Sequence, residues 1–582
     1  MKKTLKELSW KIALLAGVVA FTVWTLPFLG CYQPVFIVVF SALVYYLYRQ
    51  MIIGRSFKKS WVFLIFSFLF SVAFVMGKQV HFDYIRGNMA ENYIVVGKKA
   101  ILTVITLTAL LFPVFSKLSV LISKVKLNNF SEKRVLKNPL FFFISWLIIL
   151  ICWLPYTLSF YPGGVVGDGA MTLRYSLSPG AVMHNHWVLL YIMVLRFFLW
   201  LGKLISDDIN VGVFLYAVTQ SILFSGACAY VAYKLRVKGA HTLIQWGTVI
   251  MYAISGFFAS YGLALWKDTL FSAAVVLLTL LLWDLTKKEK VTVAFCIKFG
   301  LLGLFMCFWK NNGLHIFLAV LIIVLIAFRK QVLRLLIPGA AVLAVTLIIQ
   351  GPVYDAFGVQ KDSLNESMSV PIQQIAAVIG EGKELTDSQK EVLYSVISEE
   401  DWKNKYVPSL SDDLKRVVDQ EYLNDHVKDF LVVWVQLLFP NFKTYVKAYM
   451  MLTLGFWQPG VYIGYYYDYF VGIQDILNDG YVNRDLFCEL TGKSINNELL
   501  SMIKFIPSGT IVWIMWYSFT SVLAQKEKRR QLIVYAPMAV CWAVVMLACP
   551  IAYSYRYILM IAIALPVILY LPFHEDAGLK EI

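Results

Sequence analysis

Long uncharged apolar runs recur along this chain, and they constrain its fold more than any other feature. "IALLAGVVAFTVWTLPFLG" (12–30) and "LFFFISWLIILICWLPYTLS" (140–159) are two of many. A run of ~18 or more such residues is what a helix needs to cross the hydrocarbon core of a bilayer. The chain is 59% hydrophobic and only 15% charged over 582 residues, which sets it apart from a soluble domain. The pattern predicts an all-α, polytopic integral membrane helix bundle. Its expected crossings are 10–30, 33–53, 60–77, 99–121, 140–158, 211–233, 243–262, 268–286, 293–309, 313–328, 333–350, 505–523, 531–549 and 553–571.

The net charge of +16 resembles that of a nucleic-acid binder, yet the cations cluster in short loops between apolar runs. Positive-inside bias accounts for them better, and no nucleic-acid partner is expected. Lys2, Lys3, Lys6 and Lys11 put the N-terminus in the cytoplasm. "YKLRVKGAHT", "DLTKKEK", "FRKQVLR" and "AQKEKRR" agree with one another as cytoplasmic loops only if the apolar segment 187–203 does not cross. That segment is therefore expected to rest in the outer interface, although an ordinary crossing is the alternative. About 14 spans with both termini inside result. The eight cysteines fall mostly in apolar runs without a CxxC pair and read as small buried hydrophobes. "FLGC" at Cys31 lacks the small residue of a lipoprotein cleavage site, so the first helix is expected to stay uncleaved.

Five parts follow from this layout. Residues 1–121 form an accessory bundle, 122–139 a basic cytoplasmic linker, and 140–350 the core. Residues 351–504 form a small helical extracytoplasmic insert with aromatic, proline-broken interfacial helices, a further crossing pair in 430–470 being the alternative, and 505–582 supply the last spans and a short tail.

Polar residues then gather on one face. "SFYPGGVVGDGAMTLRYSLSPGAVMHNHW" (159–187) interrupts the apolar pattern outside the membrane. Its glycines and prolines favour turns, and Asp168 is expected in that glycine-rich loop. A carboxylate held beside the bilayer is costly unless paired or used. His184 and His186 could offer nitrogens to a phosphate, or join Asp168 around a divalent metal such as Mg2+ or Mn2+. Lys267 and Asp268 sit at the mouth of the next span, where Asp268 could cap a helix. Lys310, Asn311, Asn312 and His315 lie at the following outer turn, and Arg556 lies at the last, among Tyr553, Tyr555 and Tyr557. Interfacial snorkelling is the plain reading of each cation. Their recurrence against the positive-inside trend favours a site instead. Lys and Arg would hold phosphate, and Asp168 would take a proton from an acceptor hydroxyl.

A first large outer loop carrying an Asp, then an interfacial helix, is similar to the GT-C polytopic glycosyltransferases. "YPGGVVGDG", "HNHW" and "LWKDTLF" resemble an uncharacterised bacterial membrane-protein family, DUF6020-like, with a Tyr-Pro-Gly, Asp, His-His-Pro and Lys-Asp pattern. The likeness is expected over about 140–571. The histidine motif departs from that pattern, because Asn185 separates the two histidines and Trp187 replaces the proline. The resemblance implies a bacterial plasma-membrane glycosyltransferase with Asp168 as its catalytic acid. It would move a sugar from a polyprenyl-phosphate donor to an envelope glycan, teichoic-type polymer or lipid acceptor. A transporter or flippase of lipid-linked glycans and a non-catalytic subunit of an envelope-synthesis complex are the alternatives. The sequence has no HExxH, GxSxG or Walker motif, which disfavours a protease or a self-powered pump.

Overall fold

The computed structural model describes residues 2–54, 60–81, 93–125, 127, 138–165, 168–178, 185–286, 291–360, 363–460, 480–494, 505–552 and 554–574. Helix dominates. Apart from isolated bridges, strand pairing among the described residues is confined to the two-residue hairpin of Val80–His81 with Tyr93–Ile94. Eight helices are long and apolar enough to cross a membrane: Ser9–Phe28, Pro34–Ile53, Lys98–Lys124, Leu140–Ser159, Ile209–Val237, Lys267–Leu285, Arg329–Ala356 and Lys526–Leu547. Large apolar side chains stand exposed on these elements, among them Val35, Ile105, Leu147 and Leu333. Exposure on that scale, along helices of this length, points to a membrane protein.

Eight is fewer than the fourteen crossings expected, and the shortfall has a physical cause at each place. Thr242–Ile254 and Gly256–Leu263 are bent by 59° at Ser255. Trp61–Gly77, Val293–Trp309, Gly313–Ala327 and Ser508–Ala524 are apolar but only 15 to 17 residues long. At 1.5 Å per residue they fall short of a hydrocarbon core ~30 Å thick. The expected 553–571 span is a 3-10 turn, Tyr555–Ile558, followed by Leu559–Ile563 and Leu565–Tyr570. Pro566 cannot donate the hydrogen bond that would join the two short helices. The eight cysteines are all free, and four of them are buried.

The Lys267–Leu285 helix is the axis of the core. Of its most apolar 18-residue window 78% is buried, against 22% for Ser9–Phe28. Ile209–Val237 packs beside it and also carries Leu140–Ser159, Thr242–Ile254 and Leu189–Lys203. The last of these is the segment expected to rest in the interface. It forms a hairpin with Ile209–Val237 in which Gly202 and Gly212 meet: a Cβ on Gly212 would lie 2.7 Å from the Leu199 Cα. The N-terminal bundle docks through an aromatic cluster, with Phe66, Phe70 and Phe115 against Trp513 and Tyr517 of Ser508–Ala524.

Within the insert, residues 363–452 have their own apolar core, in which Ile375, Leu393, Trp402, Leu423 and Phe430 are fully buried. Val427–Leu438 turns Phe430, Val433 and Leu437 inward and leaves Val432 and Val435 exposed. It is followed, across Pro440, by Phe442–Leu452. The remainder of that aromatic stretch, 461–470, lies outside the described residues, as does the linker apart from 122–125, 127, 138 and 139. The insert is fastened to the core by backbone pairing. Ser411 N donates to the Pro550 carbonyl at 2.9 Å, and Ala552 N donates to the Ser409 carbonyl at 2.9 Å.

Candidate functional site

The interruption at 159–187 is not a loop throughout. Asp168 opens a ten-residue helix, Asp168–Leu177, which corrects its expected place in a glycine-rich loop. A carboxylate in a first helical turn is favoured by the backbone N–H groups that point toward it. The preceding turn is laid directly on the break before Lys267–Leu285. Gly164 N donates to the Leu263 carbonyl at 3.0 Å, and Leu265 N donates to the Gly164 carbonyl at 2.8 Å. Gln220, from Ile209–Val237, holds the other side of the break by donating to the carbonyls of Gly262 and Ala264 at 3.0 and 2.5 Å. Tyr481, fully buried, donates to the Gly163 carbonyl at 2.8 Å.

This close approach explains Gly169. A Cβ there would sit 2.2 Å from the Leu265 carbonyl oxygen, and backbone cannot step aside as a flexible side chain can. Gly169→Ala is therefore expected to push the Asp168 helix away from Lys267 at a cost of about 1–3 kcal/mol. A lower melting temperature in detergent, read by intrinsic tryptophan fluorescence, checks it. An unchanged melting temperature would mean the two segments are less tightly apposed.

One cavity of about 560 Å³ receives Asp168, His186, Lys267, Asp268, Lys310, Asn311 and Arg556. His184 lies outside the described residues. Arg556 Nη1 donates to Asp168 Oδ2 at 2.7 Å, and Nη2 donates to the Tyr557 hydroxyl at 2.9 Å. Its guanidinium also lies 5.6 Å from the Trp266 ring centroid. Lys310 pairs with Asp268 at 2.5 Å, and the Asp268 side chain is only 3% exposed. Lys267 differs from both cations. Its Nζ makes one contact, 3.3 Å to the His186 carbonyl, and no ion pair among the described residues. Asn311 Nδ2 donates to the same carbonyl at 3.1 Å, so the 3-10 turn Asn185–Trp187 is tied to the turns that carry Lys267 and Asn311. His186 stacks edge-on against Trp187. His315, expected at the same turn as Lys310, does not line the cavity.

Loss of water around Asp168 by itself raises its pKa. Arg556, then Lys267, pull the other way, helped by the Arg556 hydrogen bond and His186, and hold the carboxyl down at about 2. Asp168 is thus a fixed anion whose charge is balanced by Arg556, with its side chain still 43% exposed to the cavity.

Of the residues expected around a divalent metal, Asp168 and His186 line the cavity, and His184 lies outside the described residues. Asp168 and Asp268 each hold a cation already, and Lys267 lies close by. Among the described residues no group of three His, Cys, Asp or Glu could hold a metal ion. Cations fixed beside a cavity suit an anion instead.

Two further walls complete the cavity, and sequence reasoning missed both. Phe271, Ile316, Cys541, Val544, Val545 and Met560 make one side apolar. Ser363, Asn365, Glu366, Asp412, Lys415 and Arg416 of the insert make another side polar.

Residues 179–578 match DUF6020, a family of unknown function. The chain belongs to DUF6020. No curated protein and no solved structure matches it. The match in this DUF6020 member takes in the insert, Lys267, Asp268, Lys310 and Arg556, but it starts later than the expected residue 140. The Tyr-Pro-Gly turn and Asp168 precede it. The role assigned to Asp168 therefore rests on the ion pair with Arg556 and on the shared cavity.

Proposed function

We propose that this chain is a bacterial plasma-membrane glycosyltransferase, similar in architecture to GT-C enzymes. It would use a polyprenyl-phosphate-linked sugar to glycosylate an envelope glycan, teichoic-type polymer or lipid on the outer face. The observation that carries the reading is a single cavity that joins the Asp168 carboxylate, the cations Lys267, Lys310 and Arg556, and apolar side chains such as Val544 and Val545. A lipid-linked sugar phosphate has matching parts: an apolar tail, an anion, and an electrophilic carbon next to that anion.

The chemistry follows from charge. The donor is a phosphodiester with one negative charge. As the acceptor oxygen attacks the anomeric carbon, the carbon–oxygen bond to phosphate breaks and its electron pair leaves with the phosphate. Lys267 and Arg556 stabilise the second charge that develops there. The hydroxyl proton goes to Asp168. At a pKa of about 2 Asp168 is a weak base while Arg556 holds it. Donor phosphate competes for the same guanidinium. As Arg556 turns toward phosphate, Asp168 loses its strongest partner and becomes more basic at the moment a donor is present. No step requires a metal.

Turnover in proteoliposomes tests the reading. Purified protein supplied with a panel of polyprenyl-phosphate sugars and soluble acceptors is expected to release polyprenyl phosphate from at least one donor, with or without EDTA. No release from any member of a broad panel, despite retained fold, would count against a transferase and leave the flippase alternative standing.

A further inference from the structure

The insert carries a second feature that the donor chemistry does not use. Lys415, whose side chain is 5% exposed, bridges two carboxylates on the cavity's outer wall. Its Nζ lies 2.6 Å from Glu366 Oε2 and 2.8 Å from Asp412 Oδ1. Burial alone lowers the Lys415 pKa, but Asp412 and Glu366 outweigh that and raise it above the ordinary lysine value. The ammonium therefore stays charged and fixed. Asn365, almost fully buried, donates from Nδ2 to the Lys415 carbonyl at 2.9 Å and holds its backbone.

This clamp leaves one oxygen of each carboxylate over. Glu366 Oε1 and Asp412 Oδ2 make no hydrogen bond among the described residues, and the two side chains are 33% and 31% exposed. Both residues line the same cavity as Asp168. The Trp187 and Tyr175 rings, 6.3 Å apart, form another part of that lining. Fixed carboxylate oxygens accept strongly from hydroxyls, while aromatic faces cover the apolar C–H face of a sugar ring. The donor phosphate, an anion, has its own cations in Lys267 and Arg556.

The geometry points to Glu366 and Asp412, held by Lys415, as the acceptor-binding residues of the cavity, selecting a neutral polyhydroxylated acceptor such as a pyranose. The inference rests on the transferase reading for the word acceptor, but the sugar site itself can be measured without turnover. The backbone pairing of 409–411 with 550–552 ties this wall to the turn that carries Arg556, so the two halves of the cavity keep a common frame.

The test uses the full-length protein in nanodiscs and saturation-transfer difference NMR, with methyl glucopyranoside, methyl galactopyranoside and N-acetylglucosamine as probes. At least one probe is expected to bind the wild type, with affinity at least about tenfold weaker in Glu366→Gln and in Asp412→Asn. Each variant keeps one carboxylate on Lys415, and matching melting temperatures verify the fold. Binding by no probe, or equal binding by all variants, overturns the inference. Carboxylate-dependent binding without turnover of any donor would leave the sugar site intact and remove the transferase reading. Turnover that proceeds with an unchanged acceptor KM in Glu366→Gln and Asp412→Asn would do the reverse.

Discussion

Asp168→Asn is expected to lower polyprenyl phosphate release in proteoliposomes by about 10²–10⁴-fold, the range in which a positioned general base acts. The amide keeps the shape of the carboxylate and can still meet Arg556, now 2.7 Å from Asp168 Oδ2, so the fold should survive. It cannot take the proton of the acceptor hydroxyl. Donor KM should change little, because the cations that hold phosphate remain. A loss confined to kcat, with equal protein yield and melting temperature, is the signature sought. A variant as active as the wild type would remove Asp168 from the chemistry.

Arg556→Gln should cost about 10²–10³ in turnover, as loss of a preorganised stabiliser of developing charge does. It should also alter the pH profile in a definite direction. Asp168 is faced by Arg556, Lys267 and His186, and together they hold it at about 2 against the effect of lost water. A carboxyl depressed in this way stays ionised as pH falls, until pH nears its lowered pKa. In the free wild-type enzyme, kcat/KM should therefore have no Asp168-linked acid limb above about pH 3. Without Arg556 the lost water is less well compensated, and the limb should climb to about pH 4 or higher. Profiles that superimpose would show that Arg556 does not set the charge state of Asp168.

The sequence revealed the elements better than their meetings. Helices lie over each expected apolar segment because twenty apolar residues specify a buried or lipid-facing helix with little ambiguity. Breaks such as Ser255–Gly256 and Ala564–Pro566 are weaker signals, since backbone freed there can be satisfied by neighbouring helices. The Asp168–Arg556 pair spans 388 residues of sequence, and no local pattern announces a partner that far away. The helix that begins at Asp168 could have been recognised: "DGAMTLRYSL" starts with an acid and buries Ala170 and Leu173 at helical spacing.

The insert was harder. "SDDLKR" has the look of a solvated charged turn, and the i,i+3 spacing of Asp412 and Lys415 was visible in it. That Lys415 is buried depends on Glu366, Asn365 and the docking of 409–411 onto 550–552. Those are tertiary facts. Gly169 belongs to the same class, because its need for close approach to Leu265 exists only once two distant turns are paired.

A cryo-electron microscopy map of the full-length protein in nanodiscs with polyprenyl phosphate, the expected product, tests the central claim most directly. The account predicts phosphate density within hydrogen-bond distance of Lys267 Nζ and the Arg556 guanidinium, with the tail along Val544, Val545 and Ile316. The Arg556–Asp168 contact should lengthen from 2.7 Å. Phosphate bound elsewhere, with that ion pair intact, would contradict it.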